Sequence, residues 1–199
     1  MYRAINQDPG EDGRLIAAFL AEDSSAFDKL VLKYKDRVFN ICYRFMGNHD
    51  DANDCAQDAF VKVFRSLKHF KGESLFSTWL YSITVNTCKN KLSSLAHRIG
   101  KRMVQIDKRR ETEDGEKQRQ FKDDGYTPPE MLEMKEREAK VQKAIGSLGK
   151  YQKELIILRD IEDLSYEEIA KITGHKLGTV KSGLSRARFH LKEKLRELR

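Results

Sequence analysis

Long apolar runs are missing from the chain. No stretch reaches the 18 or so consecutive apolar residues of a membrane helix, so no membrane insertion is expected. Proline is scarce, at 3 residues in 199, and glycine is moderate at 12, which argues against a turn-rich all-β sandwich. The N-terminal stretch MYRAINQDPGEDG has no apolar signal-peptide segment, so a cytoplasmic location is expected. Only three cysteines occur, Cys42, Cys55 and Cys88, with no CxxC or paired spacing. They read as small buried hydrophobes in a reducing compartment. Catalytic signatures are missing too: HExxH, GxSxG and the phosphate-cradling GxxxxGK[ST] do not appear, and the five histidines are scattered. No enzyme activity, cofactor or metal is expected.

Charge is abundant, and its placement carries information. The net charge is +7. Residues 176–199 hold eight Lys/Arg against two Asp/Glu, so six of the seven excess positive charges lie in the last 24 residues. A local basic excess of this kind is an electrostatic footprint for a polyanion, nucleic acid first.

The hydrophobic pattern is helical throughout and predicts an all-α chain of two small domains. Over residues 25–46, Phe27, Leu30, Val31, Tyr34, Val38, Ile41 and Phe45 recur on one helical face, with Ser24 or Ser25 as cap and Gly47 as stop. A short helix is expected around Arg14–Ala21. Another is expected over Asp50–Leu67, burying Ala56, Phe60, Val63, Phe64 and Leu67, and a fourth over Leu75–Leu95 with Phe76, Trp79, Leu80 and Ile83 inward. These four form an N-terminal domain, residues 1–96. Residues 97–130 lose apolar periodicity and mix charges evenly, which predicts a flexible linker closed by Pro128-Pro129.

The C-terminal domain, residues 131–199, ends in a helix-turn-helix pattern. Ser165 and Glu168 have the spacing of a capping box before a helix over Tyr166–Ile172. Thr173–Lys176 is the turn, with Gly174 suited to a positive φ. The next helix, from about Gly178, buries a seam of Val180, Leu184, Ala187, Leu191 and Leu195. Small Ala170, then Gly174, then Val180 is the spacing of two helices crossing closely. Off that seam, Lys181, Ser185, Arg188 and Lys192 line one stripe, with Ser182 and Arg186 beside it. Long cations and short hydroxyls suit base edges and phosphates in a major groove.

At this point the residues carry a family resemblance. DLSYEEIAKITGHKLGTVKSGLSRAR resembles the promoter-binding domain of bacterial extracytoplasmic-function (ECF) sigma factors. DANDCAQDAFVKVFRSL and FKGESLFSTWLYSITVNTCKN resemble their N-terminal domain. The resemblance implies a sigma factor that binds core RNA polymerase and promoter DNA, duplex and melted, under the control of an anti-sigma factor. Lys181, Ser182, Ser185, Arg186 and Arg188 would meet the minus-thirty-five element. Phe70, Lys71, Gly72, Glu73, Ser74 and Asn86 match positions that hold a flipped-out base of the minus-ten element, with Lys89 on the same polar stripe. Asp51, Asp54, Gln57, Asp58 and Lys62 match the face that grips the polymerase clamp helices.

A competing reading is a repressor or activator that binds duplex DNA alone, with the first domain as a sensor. One departure from the resemblance is Gly183, where the motif usually has arginine. A glycine there weakens a helix by about 0.5–1 kcal/mol and removes a cation, so Gly183→Arg is expected to tighten DNA or polymerase binding.

Overall fold

A computed structural model describes residues 9–103 and 128–198, with side chains over residues 10–94 and 132–198. Among the described residues the fold is eight α-helices and no strand. The first four are α1 (Pro9–Leu20), α2 (Ser24–Met46), α3 (His49–Ser66) and α4 (Phe76–Met103). Asp23 caps α2, accepting the Ser25 N–H at 3.0 Å, one position before the expected serines. Asn48 caps α3 through the Asp51 N–H.

Leu30, Tyr34, Val38 and Ile41 of α2 meet Ala59 and Val63 of α3 and Leu80, Tyr81 and Val85 of α4 in one core. Tyr81 is fully buried and was not marked by the pattern; its hydroxyl accepts a bond from Arg37 at 3.3 Å. α1 is pinned by Asp12, which accepts from the Tyr34 hydroxyl at 2.6 Å and the Lys33 ammonium at 2.7 Å. Phe64 departs from expectation: it is 49% exposed, its ring set edge-on to Phe19 and Phe27. The buried stripe of α3 runs instead through Ala52, Cys55, Ala56, Ala59 and Val63. These small side chains let α2 and α4 approach closely, and Phe64 is rotated to the rim.

The second module contains α5 (Pro128–Gly146), α6 (Lys150–Ile156), α7 (Tyr166–Thr173) and α8 (Leu177–Glu197). Between α6 and α7 the chain takes a π turn over Ile157–Ile161, closed by the Glu162 N–H on the Ile157 carbonyl at 3.0 Å. The helices overrun the expected linker at both ends: α4 continues to Met103 and α5 begins at Pro128. Proline is at home in the first turn of a helix, where its missing N–H would have no partner. The centre of that expected linker, residues 104–127, lies outside the described residues.

The two modules pack together, α7 against α4 and α5 against α2. Arg44 of α2 bonds Gln142 Oε1 at 3.0 Å and Glu138 at 3.4 Å, and Gln142 donates to the Tyr43 and Arg44 carbonyls closing α2. Lys89 of α4 reaches both carboxylate oxygens of Glu154 at 3.0 Å. Arg37 stands 4.0 Å from the buried Glu162.

Candidate nucleic-acid interface

Helix α8 is positioned by its short neighbour α7. In α7 the Ser165 hydroxyl accepts the Glu168 N–H at 3.2 Å, and the Glu168 carboxylate accepts the Ser165 N–H at 2.8 Å. Both halves of the capping box are therefore made, fixing a helix of only two turns. Gly174 ends it at φ 71°, a conformation that a side chain disfavours, and its N–H bonds the Ala170 carbonyl at 2.9 Å. α8 then starts after Lys176 and buries Val180, Gly183, Leu184 and Ala187.

Opposite that seam, Lys181, Ser182, Ser185 and Arg186 are all exposed. Lys181 lies 5.7 Å from the centre of the Tyr166 ring, and Arg186 folds back on the Ser182 carbonyl at 3.3 Å. These are weak local contacts that a phosphate or base edge can displace. Arg188 differs. Its guanidinium clasps both oxygens of Asp160 in the π turn, with Nε at 3.1 Å from Oδ2. This pair raises the arginine pKa further above its ordinary value. Arg188 thus ties α8 to its own module.

Gly183 does not face outward. A Cβ built there would lie 2.8 Å from Leu155 Cδ1 and 2.9 Å from Tyr151 Cε1, inside the α6–α8 crossing. The expectation that arginine here would add a cation to the DNA surface is therefore corrected. That expectation rests on the motif's usual arginine; position 183 lies on the buried side of α8 with Val180, Leu184 and Ala187, and α6 covers it.

The N-terminal surface is built on α4 and the loop before it. Phe70 is half-buried, its ring centre 5.0 Å from Trp79 and 5.9 Å from Phe76. Trp79 itself is half-buried rather than enclosed. Lys71, Gly72 and Glu73 are exposed and Ser74 is half-buried, with Gly72 at φ 72° turning the loop. Asn86 is exposed on α4, whereas Lys89 is held by Glu154. The first turn of α4 is covered: Thr78 is buried, its hydroxyl 3.5 Å from Glu168 of α7.

On α3, Asp54, Gln57 and Asp58 are exposed and share one face. Asp51 is half-buried, engaged by the Asn48 cap at 2.8 Å and by Lys91 at 3.9 Å. Lys62 bridges to α4 through the Thr87 hydroxyl at 3.0 Å. Sequence reasoning missed the inter-module partners Glu154 and Glu162. They stand among the leucines and isoleucines of residues 154–162, where a charged residue within an apolar run was the available signal.

Fold and surfaces together define a DNA-binding protein of two helical modules, one with an exposed basic helix and one with an aromatic platform. Residues 30–98 match the family model of sigma-70 region 2, and residues 138–191 match that of sigma-70 region 4. The RNA polymerase sigma-H factor of Pseudomonas aeruginosa is 36% identical over 188 residues, covering 94% of this chain and 95% of that protein. The ECF RNA polymerase sigma-E factor of Haemophilus influenzae is 35% identical, covering 94% and 96%. Among solved structures, the sigma factor RpoE in complex with the anti-sigma factor NepR from Bartonella quintana superposes with a TM-score of 0.63 at 26% identity, covering 85% of this chain and 96% of that one. CnrH in complex with the cytosolic domain of CnrY shares the fold, at a TM-score of 0.65 and 20% identity, covering 96% and 99%.

The chain belongs to the sigma-70 family, in its ECF group. It is a non-enzymatic initiation factor that binds core RNA polymerase and directs it to promoter DNA. Among the described residues no helix is long and apolar enough to cross a membrane.

Proposed function

We propose that α8 reads the minus-thirty-five element through Lys181, Ser182, Ser185 and Arg186, while Phe70, the 71–74 loop and Asn86 receive the melted minus-ten strand. A flipped base needs an aromatic wall and amide hydrogen bonds, and the Phe70–Trp79 pair, with exposed Asn86 further along α4, offers both kinds of group. The exposed Asp54, Gln57 and Asp58 face of α3 meets the polymerase clamp. The protein works in the cytoplasm, where the polymerase is.

The packed arrangement is the inactive one, and an anti-sigma factor of the kind seen with RpoE holds it. A compact chain of this length has a radius of gyration of about 16 Å and is roughly 40 Å across. Two promoter elements about 25 base pairs apart stand roughly 85 Å apart along B-DNA. The modules must therefore separate before both can be read, freeing Lys89 from Glu154. The observation that carries this reading is the inter-module seam at Lys89–Glu154 and Thr78–Glu168, which engages Lys89 and packs α7 on the first turn of α4.

Run-off transcription with purified core polymerase from the same source tests it. Promoter-specific transcripts are expected only when both factor and core are present. Absence of such transcripts, with tight duplex binding by the chain alone, would instead support a free-standing repressor.

A further inference from the structure

All three cysteines of the chain meet at one point. Cys42 comes from α2, Cys55 from α3 and Cys88 from α4, and each is fully buried. Cys55 Sγ lies 3.4 Å from Cys88 Sγ, Cys88 Sγ lies 3.7 Å from Cys42 Sγ, and all three sulfurs fall within 4.8 Å of one another. Three cysteines used merely as small core residues have no reason to converge, because alanine would fill such positions as well. Thiolates bound at about 2.3 Å to one metal ion stand about 3.8–4.0 Å apart, close to the observed spacing.

We propose that Cys42, Cys55 and Cys88 form a three-thiolate site for a soft, thiophilic metal ion, Cu(I) in particular. Among the described residues no fourth His, Cys, Asp or Glu joins the group. Three sulfur ligands in a dry core suit Cu(I), whereas a structural Zn(II) takes four ligands. Binding is coordination without electron transfer: Cu–S bonds replace S–H bonds, up to three protons leave, and the copper stays Cu(I).

The site would clamp α2, α3 and α4 together. α3 carries the proposed polymerase face and α4 the proposed melted-strand face, so copper would stiffen the module that opens promoters. Because the sulfurs are buried, the ion enters by local opening of the helices, and loading is slow.

The test is transfer of Cu(I) to the full reduced chain from a chromophoric Cu(I) chelator under anaerobic conditions, with Zn(II) as a parallel arm. Expected results are one Cu(I) per chain, a thiolate-to-copper charge-transfer band in the near ultraviolet, and a Tm rise of roughly 5 °C or more at saturating copper. Cys55→Ala and Cys88→Ala should each lower the affinity at least tenfold. X-ray absorption on the loaded wild-type protein, which depends on no variant folding, should find three sulfur neighbours. No transfer from the chelator, transfer untouched by these substitutions, fewer than three sulfurs, or uptake of Zn(II) without Cu(I) would each overturn the assignment.

Discussion

The two proposed DNA-facing surfaces are built on opposite terms. On α8 the cations Lys181 and Arg186 are exposed and touch only their own module. On α4 the cation Lys89 is bonded to Glu154 of the other module, and Thr78 is buried under α7. One surface is open in the packed chain and the other is partly covered. On the proposed roles, a duplex can meet α8 in the packed chain, whereas Lys89 is freed for a melted strand only after the modules part. The difference gives an order of events for which the charge tally alone offered no hint.

The comparison breaks most severely at the inner side of α8. Gly183→Arg should destabilise the C-terminal module by about 3 kcal/mol or more, because the side chain must displace Leu155 and Tyr151 and place a guanidinium in a packed crossing. Thermal unfolding would read this as a lowered Tm. Unchanged stability together with tighter DNA binding would return Gly183 to the DNA surface.

Glu154→Lys attacks the covered side. It sets like charges against Lys89 at a position that is 2% exposed and should weaken inter-module packing by about 2 kcal/mol. Scattering should then report a larger radius of gyration, and transcription with core polymerase should become harder to inhibit. An unchanged radius would show that this pair does not hold the modules together.

Arg186→Ala attacks the open side. It should reduce promoter use by about 1–3 kcal/mol in a sequence-dependent way if Arg186 grips a base edge. An equal loss on every upstream sequence would make it a phosphate contact, with a salt slope shallower by about one.

A smaller effect is expected from pH. Burial pushes the Glu162 carboxyl up to about 7, against the opposing charges of Arg37 and Arg44. A carboxyl whose pKa is raised in the packed state favours packing fully at low pH, and this contribution fades as pH rises from about 4.5 past 7. The modules should therefore separate more readily above neutral pH, by about 1 kcal/mol, and Glu162→Gln should flatten the dependence. Tyr81, which accepts from Arg37 beside it, is pushed up to about 12 by burial and stays neutral throughout this window. Fluorescence between labelled modules across pH 5–8 would read the slope.

Much of this architecture was legible in local pattern. The capping box at Ser165 and Glu168, the positive φ of Gly174 and the seam from Val180 to Ala187 are one-turn signals, and all stand in the structure. Tertiary facts were not legible. Local pattern does not name α6 as the element that covers Gly183, nor does it show that Phe64 turns to the rim while Tyr81 fills the core. Spacings of 13 and 33 residues between the cysteines have no meaning until three helices are packed. Lys89 looked like any cation on a polar stripe, because its partner lies 65 residues away.

Distance measurement between the modules tests the central claim most directly. Probes at exposed Asn53 on α3 and Lys192 on α8 would report their separation in the free chain and after addition of core polymerase and promoter DNA. The free protein should give one short, narrow distance, shifting by several tens of ångströms on forming the promoter complex. The same distance in both states would contradict it.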